Sequence, residues 1–131
     1  MKKIFIIFAS LMASVTIAVF FSGCVAAVVG AGAGVGTYAY VKGEMKSVEQ
    51  ASLDKTWSAV EKTVKDMGFF VVSKSRDALA GVVEARGAGD KKITIKVSLV
   101  TDKTTEVGIR VGTFGDEKYS YQILENIRKN M

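Results

Sequence analysis

Apolar residues fall into three regimes along the chain. Residues 4–21 are apolar with few interruptions, behind Met1-Lys2-Lys3. Residues 25–36 are small and apolar, with glycine at 30, 32, 34 and 36. From residue 37 onward, apolar and polar positions interleave with the periods of a folded domain.

Within that third regime, Leu53, Trp57, Val60, Val64 and Met67 recur at steps of three and four, which predicts an amphipathic helix. Ser52 suits its N-cap and Gly68 its stop position. Trp57, central on the stripe, reads as core and not as a ligand-stacking ring. A strand should precede this helix, with Tyr38 and Tyr40 on one face and Ala39, Val41 and Met45 on the other. Runs at 69–74, 79–86, 93–100 and 105–111 are β-rich and are divided by Ser75-Arg76-Asp77, Gly87-Ala88-Gly89-Asp90 and Thr101-Asp102-Lys103.

Four short strands in series imply an antiparallel meander. Ile93, Ile95, Val97 and Leu99 point one way while Lys92, Thr94, Lys96 and Ser98 point the other, and Val107, Ile109 and Val111 repeat the alternation. Side-chain parity demands an odd loop or a bulge near residues 101–103, and sets Thr94 opposite Arg110 and Ser98 opposite Glu106. Asp116 then caps a final helix with Ser120, Ile123, Leu124 and Ile127 inward. The expected class is α+β in two layers: an antiparallel sheet with two helices on one face, in helix-grip-like order β-α-β-β-β-β-α over residues 37–131.

The first regime has the order of an export signal: positive end, apolar stretch, small residues at a cut. Ser22-Gly23-Cys24 resembles the bacterial lipobox, with Phe21 where leucine is usual. The resemblance implies cleavage between Gly23 and Cys24 and a Cys24 carrying lipid, so residues 1–23 form a signal peptide. A competing reading keeps residues 4–21 as an uncleaved membrane span, a reading weakened by Ser10, Ser14 and Thr16. Both leave the protein on a membrane.

Residues 24–36, the lipidated cysteine and the small residues behind it, admit further readings. A phosphate-cradling G-x-G-x-x-G fails, because Val35 and Thr37 stand where its third glycine belongs. A plain tether is one reading. The other uses the spacing of Gly30 with Gly34, and of Gly32 with Gly36, for close packing or contact at the membrane interface.

Charge and composition narrow the chemistry. Of 18 basic side chains, two lie in the signal, which leaves 16 against 13 acidic ones, mildly positive and interspersed. No basic stripe with interleaved aromatics stands out, so no nucleic-acid partner is expected. Histidine is absent and the single cysteine is claimed by lipid. Imidazole bases, the usual zinc sites and thiol nucleophiles drop out, and neither metal nor cofactor is expected. Glu84, Glu106, Asp102, Asp116 and Glu117 remain as carboxylates for acid–base pairing, but read as solvated charges and caps. No catalytic residue is assigned, and the chain is expected not to be an enzyme.

Gly23-Cys24, the Gly-Ala repeat running into Gly36-Thr37-Tyr38-Ala39-Tyr40-Val41-Lys42-Gly43-Glu44, the helix start Leu53-Asp54-Lys55-x-Trp57 and the closing Arg110-Val111-Gly112-x-Phe114-Gly115-Asp116 resemble domain-of-unknown-function family 3568, a group of small bacterial lipoproteins. The resemblance spans essentially the whole chain and implies an extracytoplasmic lipoprotein without bringing an activity. At fold level the domain is also similar to the helix-grip modules of an outer-membrane-assembly lipoprotein. Two functions follow as expectations: a structural or interaction module touching another envelope protein or the cell wall, or a binder of lipid or another apolar ligand. A closed core of Trp57, Phe69, Val71 and Leu124 would favour the first, and an apolar pocket with a mouth the second. Val25 behind the cysteine, in place of aspartate, points by resemblance to the outer membrane where the host has two.

Overall fold

The computed structural model describes residues 38–131. Strand β1 (Ala39–Val41) turns into β2 (Glu44–Glu49), helix α1 (Leu53–Asp66) follows, and then come β3 (Phe70–Arg76) and β4 (Ala80–Arg86). A single 3-10 turn (Ala88–Asp90) leads to β5 (Lys92–Thr101), β6 (Thr104–Val111) and helix α2 (Glu117–Asn130). The strands form one antiparallel sheet in the order β1-β2-β6-β5-β4-β3. Both helices pack on the same face and touch each other, as the α+β reading expected. Among the described residues no helix is long and apolar enough to cross a membrane.

Local signals account for the helices. The Ser52 hydroxyl accepts the Lys55 N–H at 3.3 Å and opens α1. Gly68, at φ +69°, closes it: the Gly68 and Phe69 N–H groups donate to the Lys65 and Val64 carbonyls at 3.1 and 3.0 Å. This pair of bonds satisfies carbonyls that the helix end would otherwise leave bare. The Asp116 carboxylate accepts the Tyr119 N–H at 3.0 Å and opens α2.

The core lies between the sheet and the helices. Met45, Ile93, Ile95, Val97, Val107, Ile109 and Val111 line the sheet side. Leu53, Trp57, Val60 and Val64 meet them from α1, and Ile123, Leu124 and Ile127 from α2. Gly81 sits directly under the Trp57 ring, where any Cβ would collide with the indole. The β5–β6 register pairs Thr94 with Arg110 and Ser98 with Glu106, and the parity problem is solved by a bulge between Leu99 and Thr101.

Three local expectations change. The first strand is a hairpin: Lys42 (φ +52°) and Gly43 (φ +81°) form a two-residue turn that pairs Val41 with Glu44. Folding back places Tyr40 opposite Met45, so Tyr40 joins the core side while Val41 is exposed. The β3–β4 turn falls at residues 77–79, because the Asp77 carboxylate accepts the Leu79 and Ala80 N–H groups at 2.8 and 2.9 Å. Ser75 and Arg76 therefore remain in β3.

Val71, expected in the core, is exposed. It lies on the edge strand opposite Ala85, beside a bulge, and an edge strand has a neighbour on one side only. The β3 residues bound to α1 are Lys74, which reaches Glu61 at 2.7 Å, and Arg76, which reaches Asp54. Charged side chains pointing inward from a bulged strand also blunt that edge against pairing with another strand.

Candidate interaction surface

The residues singled out for lipidation and cleavage, Gly23 and Cys24, lie outside the described residues. So do Gly30, Gly32, Gly34 and Gly36 of the tether or membrane-contact reading. The five carboxylates weighed for acid–base work are not brought together. Glu84 and Glu106 face outward and meet Lys92 and Lys46 at 3.7 and 3.9 Å. Asp102 is exposed in a turn, Asp116 caps α2, and Glu117 accepts the Tyr38 hydroxyl at 3.3 Å. Burial, then the Glu117 charge and hydrogen bond, raise the Tyr38 phenol above its ordinary value.

A buried polar cluster emerges that the sequence did not disclose. Ser47 and Glu49 alternate with Met45 on the core side of β2 and face the last turn of α2. Glu49 accepts from the Arg128 guanidinium at both oxygens, with Nη2 to Oε1 at 3.1 Å and Nε shared between Oε1 and Oε2 at 3.2 Å each. Ser47 Oγ donates to Glu49 Oε1 at 2.5 Å and accepts from Arg128 Nη2 at 2.9 Å. Burial pulls the guanidinium down, and the hydrogen bonds and charge of Glu49, joined by Glu125, outweigh it and hold Arg128 above its ordinary value. With its oxygens engaged by arginine and serine, Glu49 acts as a clamp between sheet and helix. Seventy-nine residues separate it from Arg128, so no local spacing could have flagged the pair.

A second feature is a stiff, apolar-tipped end of the sheet. Phe114 is 93% exposed, yet its loop is held firmly. The Arg110 guanidinium donates to the Thr113 carbonyl at 3.2 Å and to the Lys42 carbonyl at 2.6 Å, tying the β6–α2 loop to the β1–β2 turn. At Gly43 a Cβ would sit 2.7 Å from the Phe114 carbonyl oxygen, and at Gly115 it would strike the Gly43 backbone. Only glycine permits that approach, and both residues also have positive φ. Lys91 meets Asp116 at 3.5 Å and the Gly112 N–H donates to the Lys92 carbonyl at 2.7 Å, which joins the β4–β5 connection to the same end. An open hollow of about 270 Å³ beside it is lined by Ala88, Lys91, Asp116, Lys118, Tyr119 and Gln122. The closing residues Arg110 to Asp116, which carry part of the family resemblance, were the available sequence signal, but hydropathy alone assigns a phenylalanine to the core.

Together these features define a two-layer α+β domain whose buried charges are committed to a structural clamp and whose exposed apolar side chains include several at one end. The chain belongs to the family described as protein of unknown function (DUF3568), whose profile matches residues 4–130. The match takes in the N-terminal apolar stretch as well as the folded domain. No curated protein matches the chain.

Proposed function

We propose that the chain is a lipid-anchored extracytoplasmic lipoprotein whose domain serves as a structural or interaction module of the cell envelope, without catalytic activity. The observation that carries this is Ser22-Gly23-Cys24, set directly behind Lys2-Lys3 and the apolar residues 4–21. A diacylglycerol on the cysteine sulfur plus an N-acyl chain gives stable anchoring, because each buried methylene adds about 0.8 kcal/mol and a single chain is only marginal. Residues 24–36 then join the anchor to the folded domain. The side chains filling the space between sheet and helices support an interaction module over a binder of apolar ligands. Val25 behind the cysteine favours the outer membrane, periplasmic side, in a host with two membranes.

The test is metabolic labelling with a clickable fatty acid. The wild-type chain should take the label and partition into detergent. Cys24→Ala should lose the label and accumulate as precursor, because thioether formation and cleavage both need that sulfur. Equal labelling of the two chains would refute the reading.

A further inference from the structure

We propose that the end of the domain bearing Phe114 rests on the surface of the membrane that anchors the chain, with Phe114 and Val41 entering the boundary between headgroups and acyl chains. This rests on the lipoprotein reading and adds to it an orientation and a second, weaker membrane contact.

The first argument is where the chain leads. Thirteen residues lie between Cys24 and Tyr38, and the fourteen steps from one to the other, at no more than about 3.6 Å each, span at most ~50 Å. Strand β1 then carries the chain three residues, roughly 10 Å, to the Lys42-Gly43 turn at the end in question. The Phe114 loop is clamped to that turn. So short a link holds the surface at an effective concentration in the millimolar range, where a contact too weak to recruit a free protein is still populated.

The second argument is chemical. Phe114, Val41 and Phe70, the first residue of β3, are 93, 55 and 72% exposed and lie at this end of the strands, whereas the opposite end exposes the aliphatic Leu79 and Val100 and, among the described residues, no large aromatic. They stand on three different elements, interspersed with Lys42, Lys91 and Lys118. Separate apolar tips between ammonium groups suit a fluid, anionic interface that conforms to each tip, whereas a second protein needs a continuous complementary patch. Of the carboxylates here, Asp116 caps α2 and meets Lys91, Glu117 accepts from Tyr38 and Asp90 lies 3.9 Å from Arg86, while Glu44 lies over Gly108 on the sheet. Glycine packing and the Arg110 clamp present Phe114 from fixed backbone, so its exposure is built into the loop.

The experiment places tryptophan at either end of the full chain, reconstituted in vesicles of phosphatidylethanolamine and phosphatidylglycerol. Phe114→Trp reports the proposed contact, and Lys103→Trp, in the β5–β6 turn at the opposite end, is the reference. Trp57 is buried and contributes the same background to both. Lipids brominated near the top of the acyl chains should quench the emission of Phe114→Trp at least twofold more than that of Lys103→Trp. Equal quenching would overturn the proposal. A blue shift at position 114 that grows with protein-to-lipid ratio and ignores bromine would overturn it as well, in favour of contact between copies. The mass of the N-terminal peptide from the same samples decides lipidation separately. An unlipidated, uncleaved chain would refute the anchor, while residues 4–21 could still hold it on the vesicle for the quenching comparison.

Discussion

Helices α1 and α2 lie on one sheet, and each is pinned to it by an arginine–carboxylate pair of opposite construction. For α1 the arginine comes from the strand: Arg76 on edge strand β3 reaches Asp54 in the first helical turn and lies over the Trp57 ring, 5.8 Å from its centroid. The Asp54 side chain is 86% exposed. For α2 the arginine comes from the helix: Arg128 reaches Glu49 on β2, and the two side chains are 16 and 10% exposed. Solvent screens the first pair, and exposed pairs contribute about 0–1 kcal/mol. The second has little water to fall back on, so removing one partner leaves a buried charge. The same two residue types therefore act as a surface trim on α1 and as a structural clamp on α2, and burial alone makes the difference. What anchors α1 is the indole beneath the arginine.

The largest expected effect tests that anchor. Trp57→Ala should cost about 3–5 kcal/mol, as aromatic truncations in cores do, read as a lowered urea midpoint. An unchanged midpoint would mean that α1 is not held by its indole. Next, Arg128→Ala should cost about 3 kcal/mol, because Glu49 keeps Ser47 but loses its counter-charge. Asp54→Ala, which breaks the mirror-image pair, should stay within about 1 kcal/mol. Similar losses in these two variants would erase the distinction between trim and clamp.

The smallest effect concerns acid. Backbone hydrogen bonds from Leu79 and Ala80 hold the Asp77 carboxyl below its ordinary value, and that of Tyr119 does the same for Asp116 at the start of α2. A lowered native pKa stabilises the fold fully above the unfolded-state value and progressively less as pH falls through the native one. The urea midpoint should thus hold from neutrality to about pH 5 and decline below about pH 4. An Asp77→Asn/Asp116→Asn variant should decline less steeply, and equal slopes would count against these two groups.

Position by position, the sequence announced what short-range chemistry controls. Ser52, Gly68 and Asp116 set helix ends because each acts on backbone groups within three residues or on its own φ. The alternation of Ile93, Ile95 and Val97 assigned a wet and a dry face because the pleat has a period of two, and parity with Val107 and Ile109 then required the bulge that the structure contains. The proposed export signal and its cysteine are read for the same reason, as a linear order of residues.

Tertiary structure alone decided the rest. Lys42-Gly43 is a weak turn signal, since lysine rarely takes positive φ, and only the pairing of β2 with β6 commits the chain to fold back and turns Tyr40 inward. Val71 carries the pattern of a core residue and loses that place because β3 is the last strand of the sheet. Glu49 and Arg128 acquire a partner only when β2 meets the end of α2, and Phe114 becomes an exposed tip only when two glycines let distant turns touch. Propensity and periodicity act over a few residues, whereas edge position, burial of charge and contact between turns depend on groups that sequence places tens of residues apart.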